Sequence, residues 1–409
     1  MKILHISTSD AGGAAKACIR IHNALLEEDM DSTVLVLKRA LYDNLKVVEF
    51  LDQPVGFSVR IVRFFKKIIQ QRKQNKILLN KPKGFETFSF PESNHDVTEH
   101  YLFKEADIIH LHWVSNFVDY SSFFEKAKDK KIVWTLHDMN PFTGGCHYSS
   151  ECYKFTLQCN GCFQLSIENS NYAETIRRNK QNSILKSKNI HIVAPSLWLL
   201  NLARKSAVFG SLNHSHIRNA FDTNTFQSRD RKKCRELFNI DENKKVILFI
   251  GDTQLKRKGF DILLNALNGI DQTNILFCTV GDRHNYINIK EFGFIKDEML
   301  LSIIFSIADV FVMPSVEDNL PNTIIESLCC GTPVIGFPIG GVPELITNGI
   351  NGILCHDINV ESLREAIVDF LNNKYEFNRF EISQKSSELF GNHVIANEYR
   401  KIYLNTIFN

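Results

Sequence analysis

Neither sign of charge dominates this chain: 48 Lys and Arg stand against 46 Asp and Glu, a formal +2 with histidine neutral. That balance excludes a generally basic nucleic-acid wrapper and an acidic disordered tail. A run of about 20 uninterrupted apolar residues is lacking, so no transmembrane helix is expected. Gly 20 and Pro 10 are ordinary counts, and neither a long Gly/Ser linker, a low-complexity tract nor an internal repeat occurs. The first apolar stretch, Ile3-Leu4-His5-Ile6, is too short for a signal-peptide core and reads as an opening strand. With no export signal expected, Cys18, Cys234, Cys278, Cys329, Cys330 and Cys355 read as reduced core thiols of a cytosolic protein. What remains is 409 residues at 44% hydrophobic, an ample core. Single cores stop growing at roughly 250–300 residues, so two domains are predicted.

Short apolar runs alternate with helical patterns throughout. Strands are predicted at Lys2–Ser7, Thr33–Leu37, Asp107–His112, Lys131–Leu136 and His191–Ala194, with a helix at Gly13–Glu28. The pattern restarts at Lys245–Gly251 and continues through Asn274–Val280, Asp309–Met313, Pro333–Gly336 and Gly352–Leu354. Two successive α/β, doubly wound units follow, with a joint near 207–240. The expected domains are 1–207, completed by a C-terminal helix over 392–409, and 208–391. Ligands of such sheets sit beyond the carboxyl ends of the strands, which directs attention to the loops there.

One segment lacks acid altogether. From Gln53 to Phe85 the charged residues are Arg60, Arg63, Lys66, Lys67, Arg72, Lys73, Lys76, Lys81 and Lys83, while Phe57, Ile61, Phe64, Phe65, Ile68 and Ile69 recur at roughly helical spacing. A basic amphipathic helix is predicted, its apolar stripe either facing its own sheet or meeting an anionic membrane surface. Four cysteines cluster as Cys146, Cys152, Cys159 and Cys162, ending in Cys-x-x-Cys. Four thiolates can bind zinc tetrahedrally, and structural zinc stands here beside reduced thiols or a disulfide as the alternatives.

Chemistry-bearing residues follow strands. Gly12-Gly13 stands between the first strand and first helix, where backbone amides can approach a phosphate. It lacks the third spaced glycine of a dinucleotide fingerprint, which argues against an oxidoreductase. Lys256-Arg257-Lys258-Gly259 follows the first strand of the second half. In the stretch Val310–Val334, Asp318 lies on a loop and Glu326 inside a helix, with Asn319 a potential cap and Pro321 in the first turn. The free amides around Asn322 and Thr323 suit phosphate. His110 and His112 alternate on the strand before His137, and one is expected to face a helix and the other the loop side.

In this order the motifs Gly12-Gly13, Thr135-Leu136-His137-Asp138, Ala194-Pro195-Ser196, Asn219, Lys258-Gly259, Ala308-Asp309, the Asp318 and Glu326 pair, and Gly340-Gly341-Val342-Pro343-Glu344 make a pattern. The chain resembles the family-four glycosyltransferases, retaining enzymes of the GT-B fold with two Rossmann-like domains facing a central cleft. Through Pro141-Phe142-Thr143-Gly144-Gly145-Cys146 it resembles the branch serving bacterial surface-polysaccharide assembly. The resemblance implies a nucleotide-diphosphate sugar donor, a saccharide acceptor that is lipid-linked, and a cytoplasmic protein peripheral to the inner face of the membrane. It assigns catalysis to His137, Lys258 and Asp318, and donor binding to Gly12, Gly13, Arg257, Asn319, Asn322, Thr323 and Glu326. No cofactor is expected for catalysis, and no nucleic-acid partner.

Three positions depart from that pattern. Asp318 stands where the family often has Glu; Asp252 stands where an arginine commonly follows the strand, leaving Arg257 or Lys256 as second cation; Ala220 stands where glycine often follows the asparagine. These departures keep two alternatives open, a catalytically silent nucleotide-binding subunit of an assembly complex and an epimerase of the same fold.

Overall fold

The computed structural model describes residues 1–40, 46–52, 57–282 and 289–408. Residues 53–56 of the acid-free segment and Asn409 of the C-terminal helix lie outside the described residues. The chain divides into two compact units, Met1–Arg218 with Ile395–Asn409, and Asn219–Val394.

Among the described residues the first unit holds a seven-stranded sheet: β1 (Lys2–Ser9), β2 (Asp31–Lys38), β3 (Val47–Glu49), β4 (Ile108–Leu111), β5 (Lys131–Thr135), β6 (Ile190–Ala194) and β7 (Asn213–His216). The order is β3-β2-β1-β4-β5-β6-β7, every pair parallel. The unit therefore ends at 218 rather than 207, because β7 pairs along β6 from His191 with Asn213 to Ala194 with His216. A polar edge strand reading Asn-His-Ser-His carries no apolar signal, which is why the expected domain bound of 207 falls short, although the boundary lies within the expected joint near 207–240.

The second unit repeats the plan with β8 (Lys245–Ile250), β9 (Ile275–Val280), β10 (Ile289–Glu291), β11 (Val310–Met313), β12 (Val334–Gly336) and β13 (Gly352–Leu354), in the order β10-β9-β8-β11-β12-β13 and parallel throughout. Both sheets reverse their winding direction once, between β1 and β4 and between β8 and β11. The carboxyl ends at those two points are where such folds bind ligands.

Central strands are apolar on both faces because helices cover both. All four residues of β4 are buried, as are Val246 to Phe249 of β8. The helix Gly13–Glu27 buries Ala15, Cys18, Ile19, His22 and Leu25, one stripe at three- and four-residue spacing. The helix Asn392–Phe408 returns to the first unit, where Tyr399 and Tyr403, one turn apart and fully buried, meet the Thr135 and His110 side chains at 2.9 and 2.7 Å. The six scattered cysteines are free and buried.

The basic segment does form a helix, Phe57–Leu78. Its apolar stripe does not pack on the sheet: Val62, Phe64, Phe65 and Ile69 are each more than half exposed, and of its apolar residues Ile77 is buried. The expectation that the stripe faces its own sheet fails here.

Candidate functional site

In the first unit, three imidazoles form a hydrogen-bonded row. His5 lies on β1 and His110 is its partner across the β1–β4 pair; His112 follows β4. His5 Nδ1 lies 2.9 Å from His112 Nε2, and His112 Nδ1 lies 3.0 Å from His137 Nε2. The rings of His112 and His137 stack at 5.3 Å. His110 stands beside the row, its ring 4.2 Å from that of His112, held by Tyr403 through Nδ1 and by Thr135, at 2.7 Å, through Nε2. His110 and His112 share one face of the strand, as positions i and i+2 must, with His110 meeting the helix Asn392–Phe408 and His112 the loop after β5, as expected. Burial pulls His5, His110 and His112 well below the usual histidine range, and His137 down to about 4 despite Asp138 pulling the other way. All are neutral near pH 7, and of the four His137 alone keeps partial exposure.

Neutral rings in a row can carry their protons in one of two directions. His5 Nε2 is buried with no hydrogen-bond partner. A bare ring nitrogen is a cheaper orphan there than an N–H, so the protons run outward: His5 donates to His112, His112 to the Nε2 of His137, and His137 keeps its proton on Nδ1. Asp138, the next residue, works on the scaffold. Its carboxylate accepts from Trp113 Nε1 at 2.9 Å, His147 Nδ1 at 2.7 Å and the Asn140 amide at 2.8 Å, locking the loop after β5. Gly12 and Gly13 open the helix after β1, exposed, with no atom within 4 Å of where a side chain would begin.

The second unit assembles charge. Lys258 Nζ lies 2.8 Å and Arg257 Nη1 3.5 Å from the same Asp318 oxygen. Burial by itself raises the Asp318 carboxyl, but Lys258 and Arg257 outweigh it and hold it below the usual carboxylate range. Arg257, not Lys256, is the cation that joins Lys258 at Asp318; Lys256 is exposed while Arg257 and Lys258 are half-buried. Two glycines make the juxtaposition. Gly259 is left-handed with φ +69, and a Cβ there would sit 1.9 Å from the Pro314 carbonyl, so only glycine lets the cationic turn close on the strand-end loop after β11. Gly340, φ +48, approaches the Asp318 carbonyl just as closely, and Gly341 N donates to the Asn319 carbonyl at 2.7 Å.

Asn319 is buried but does not cap the helix; Pro321 occupies the N-cap position of Asn322–Cys329, with no side-chain cap. The Asn319 amide donates instead to the Asp318 side chain at 2.9 Å. Asn322 and Thr323 open that helix half-exposed, the Asn322 amide oxygen fixed by Asn219 at 2.8 Å, and Glu326 is buried one turn on. Asp309 is a fold residue: Arg235 and the Val246 amide bind its carboxylate at 2.6 and 2.7 Å.

Cys146, Cys152, Cys159 and Cys162 all line one small cavity in the first unit as free thiols. A larger cavity of about 220 Å³ lies between the exposed basic helix and the helix Tyr172–Ile184, lined among others by Lys66, Lys73, Gln74, Glu92 and Asp119.

Residues 244–373 match the family model described as Glycosyl transferases group 1. That stretch holds the Lys258–Asp318 pair and Glu326. An uncharacterized 41.2 kDa protein in the cps region of Klebsiella pneumoniae is 25% identical over 320 residues, 74% of this chain and 79% of that one. The N-acetyl-alpha-D-glucosaminyl L-malate synthase of Bacillus anthracis is 21% identical over 46% of this chain and 53% of its own. Among solved structures, Anabaena HepE in complex with UDP-glucose superposes with TM-score 0.68 at 18% identity, over 99% of this chain and 100% of that one. Sucrose-phosphate synthase from Thermosynechococcus elongatus follows at 0.66 and 15%, over 99% of each. The fold is GT-B, two parallel-sheet Rossmann-like domains, and the comparisons together support a glycosyltransferase of that type.

Sequence reasoning missed His5. Its signal was a histidine inside an apolar β1, at a position where two helix-covered faces leave no water.

Proposed function

We propose that this chain is a family-four, retaining glycosyltransferase that moves a sugar from a nucleotide-diphosphate donor to a saccharide acceptor, lipid-linked, in surface-polysaccharide biosynthesis. The observation that carries the reading is the meeting of Arg257 and Lys258 at Asp318, with Glu326 buried in the helix that follows, inside the region matched by the family model. Two cations at a strand end suit the charge that builds on a leaving diphosphate. Once phosphate binds them, Asp318 is released to the sugar hydroxyls, while Glu326 accepts from the ribose. The backbone amides at Gly12–Gly13, Asn322 and Thr323, where two helices begin, suit phosphate oxygens.

His137, held by its imidazole row with Nδ1 protonated, acts as a hydrogen-bond donor to the donor sugar rather than as a base. The departing phosphate takes the acceptor's proton and the acceptor attacks from the face it leaves, so no protein nucleophile is used and catalysis rests on positioning and charge. The exposed Phe64, Phe65 and Ile69 with Lys66, Lys67, Arg72 and Lys73 fit an anionic lipid surface, and the adjoining 220 Å³ cavity fits the acceptor's head.

The test is calorimetric titration with UDP, GDP and ADP in EDTA, followed by donor turnover and NMR of the product's anomeric configuration. One nucleotide binding without metal, and a product that keeps the donor's configuration, are expected. Binding without turnover across acceptors supports the silent-subunit alternative, and an inverted product overturns the retaining mechanism.

A further inference from the structure

Between β5 and the helix Tyr172–Ile184 the chain runs through three short 3-10 turns, Asn140–Phe142, Lys154–Thr156 and Ile167–Asn169, with no longer element. A loop of that length needs something to hold it. Cys146, Cys152, Cys159 and Cys162 come together on it around a cavity of about 20 Å³, otherwise walled largely by Phe88, Phe155 and Ala173. That is room for about one water-sized sphere.

We propose that these four cysteines bind one structural Zn²⁺ as a Cys₄ site. The donor set and its surroundings fit. The loop that carries them is tied down by its own hydrogen bonds: the Thr143 hydroxyl donates to the Cys146 carbonyl at 2.6 Å, the Cys159 amide to Glu174 at 2.7 Å and the Cys162 amide to the Ser170 carbonyl at 3.0 Å. Bonds of that kind fix the backbone that presents the four side chains, support that metal ligands require. The Cys-x-x-Cys turn is pinned from outside, Lys154 Nζ donating to the Asn160 and Gly161 carbonyls at 2.8 and 3.1 Å.

Binding releases four thiol protons and leaves a complex of net charge −2. Lys154 on the cavity wall stands by to offset part of that charge. Among the described residues no three of these sulfurs lie mutually within 4.8 Å, whereas His5, His110 and His112 do offer such a set. Zinc–sulfur bonds of about 2.3 Å draw the ring inward. The histidine set is the weaker candidate, because of its ring nitrogens only His5 Nε2 is without a hydrogen bond.

The full chain, purified without chelator, is assayed for metal by mass spectrometry, and for thiols with a mercurial titrant and a zinc-sensitive dye. One zinc per chain is expected, released as four thiols are titrated, and lost from both Cys159→Ser and Cys146→Ser. Cobalt exchanged into the protein is expected to show the strong visible bands of tetrahedral thiolate coordination, a readout that does not depend on the variants folding. Folded protein without zinc overturns the proposal. So does a mass lower by four hydrogens, which means two disulfides. Zinc kept by the cysteine variants but lost in His110→Phe places the metal in the imidazole cluster and equally overturns it.

Discussion

The two units carry their functional groups in opposite electrostatic styles. In the first, buried and uncharged imidazoles stand behind one partly exposed ring; in the second, two cations and a carboxylate neutralise one another on a strand-end loop. The neutral row depends on burial to stay neutral, and the charged cluster depends on a partner to stay charged. Each is built by the same Rossmann-like scaffold, so the difference comes from which side chains occupy the strand ends rather than from topology.

Acid should separate the two most sharply. Below about pH 6.5 the unfolded chain takes up protons that the buried rings of His5, His110 and His112 refuse, so stability falls as pH drops from that point. Each ring contributes about 1.4 kcal/mol per pH unit, some 4 kcal/mol together at pH 5.5. The Asp318 carboxyl, held low, gives stability present above its unfolded pKa and lost only as pH falls through its folded value, well under this window. Calorimetric unfolding between pH 7 and 5 should show a first-unit transition moving down while a second-unit transition stays; joint movement of both breaks the comparison.

Within the charged unit, Lys258→Ala should lower turnover by about 10²–10³ with the fold intact, the scale for losing one electrostatic stabiliser of a transition state. Within the neutral unit, His112→Phe should cost up to about a hundredfold in turnover by releasing His137. Nitrogen NMR of labelled histidine should then show His137 losing its single tautomer, which a merely structural defect would not produce. Glu326→Ala should weaken nucleotide binding by about 2 kcal/mol, near thirtyfold, read by calorimetry. The smallest effect is expected at the surface: Phe64→Glu should lower binding to anionic vesicles by about tenfold at low salt, and unchanged binding removes the helix from membrane contact.

Legibility differed between the units for the same reason. The charged cluster could be read from the chain because its members are bound to local signals, a glycine after a cationic turn and a proline before a helix, all close to strand ends. Even there Asn319 misled, since a polar residue ahead of a helix looks like a cap until the backbone shows Pro321 in that place. The imidazole row was not legible. Its members lie on β1, after β4 and after β5, and His5 in an apolar run gives no hint of His112 more than a hundred residues on. The basic helix was visible by periodicity, but not which way its apolar stripe faces, because periodicity describes a helix and not its neighbours.

By itself the sequence determined two doubly wound units, the strand-end positions of its acids and cations, and the four cysteines of one loop, because those follow from local periodicity and spacing. Tertiary structure alone decided that Arg257 rather than Lys256 reaches Asp318, that β7 belongs to the first sheet, that His5 and His112 align behind His137, and that the four sulfurs share one cavity. Those are contacts between residues distant in the chain, set by strand order and burial, which no local pattern encodes.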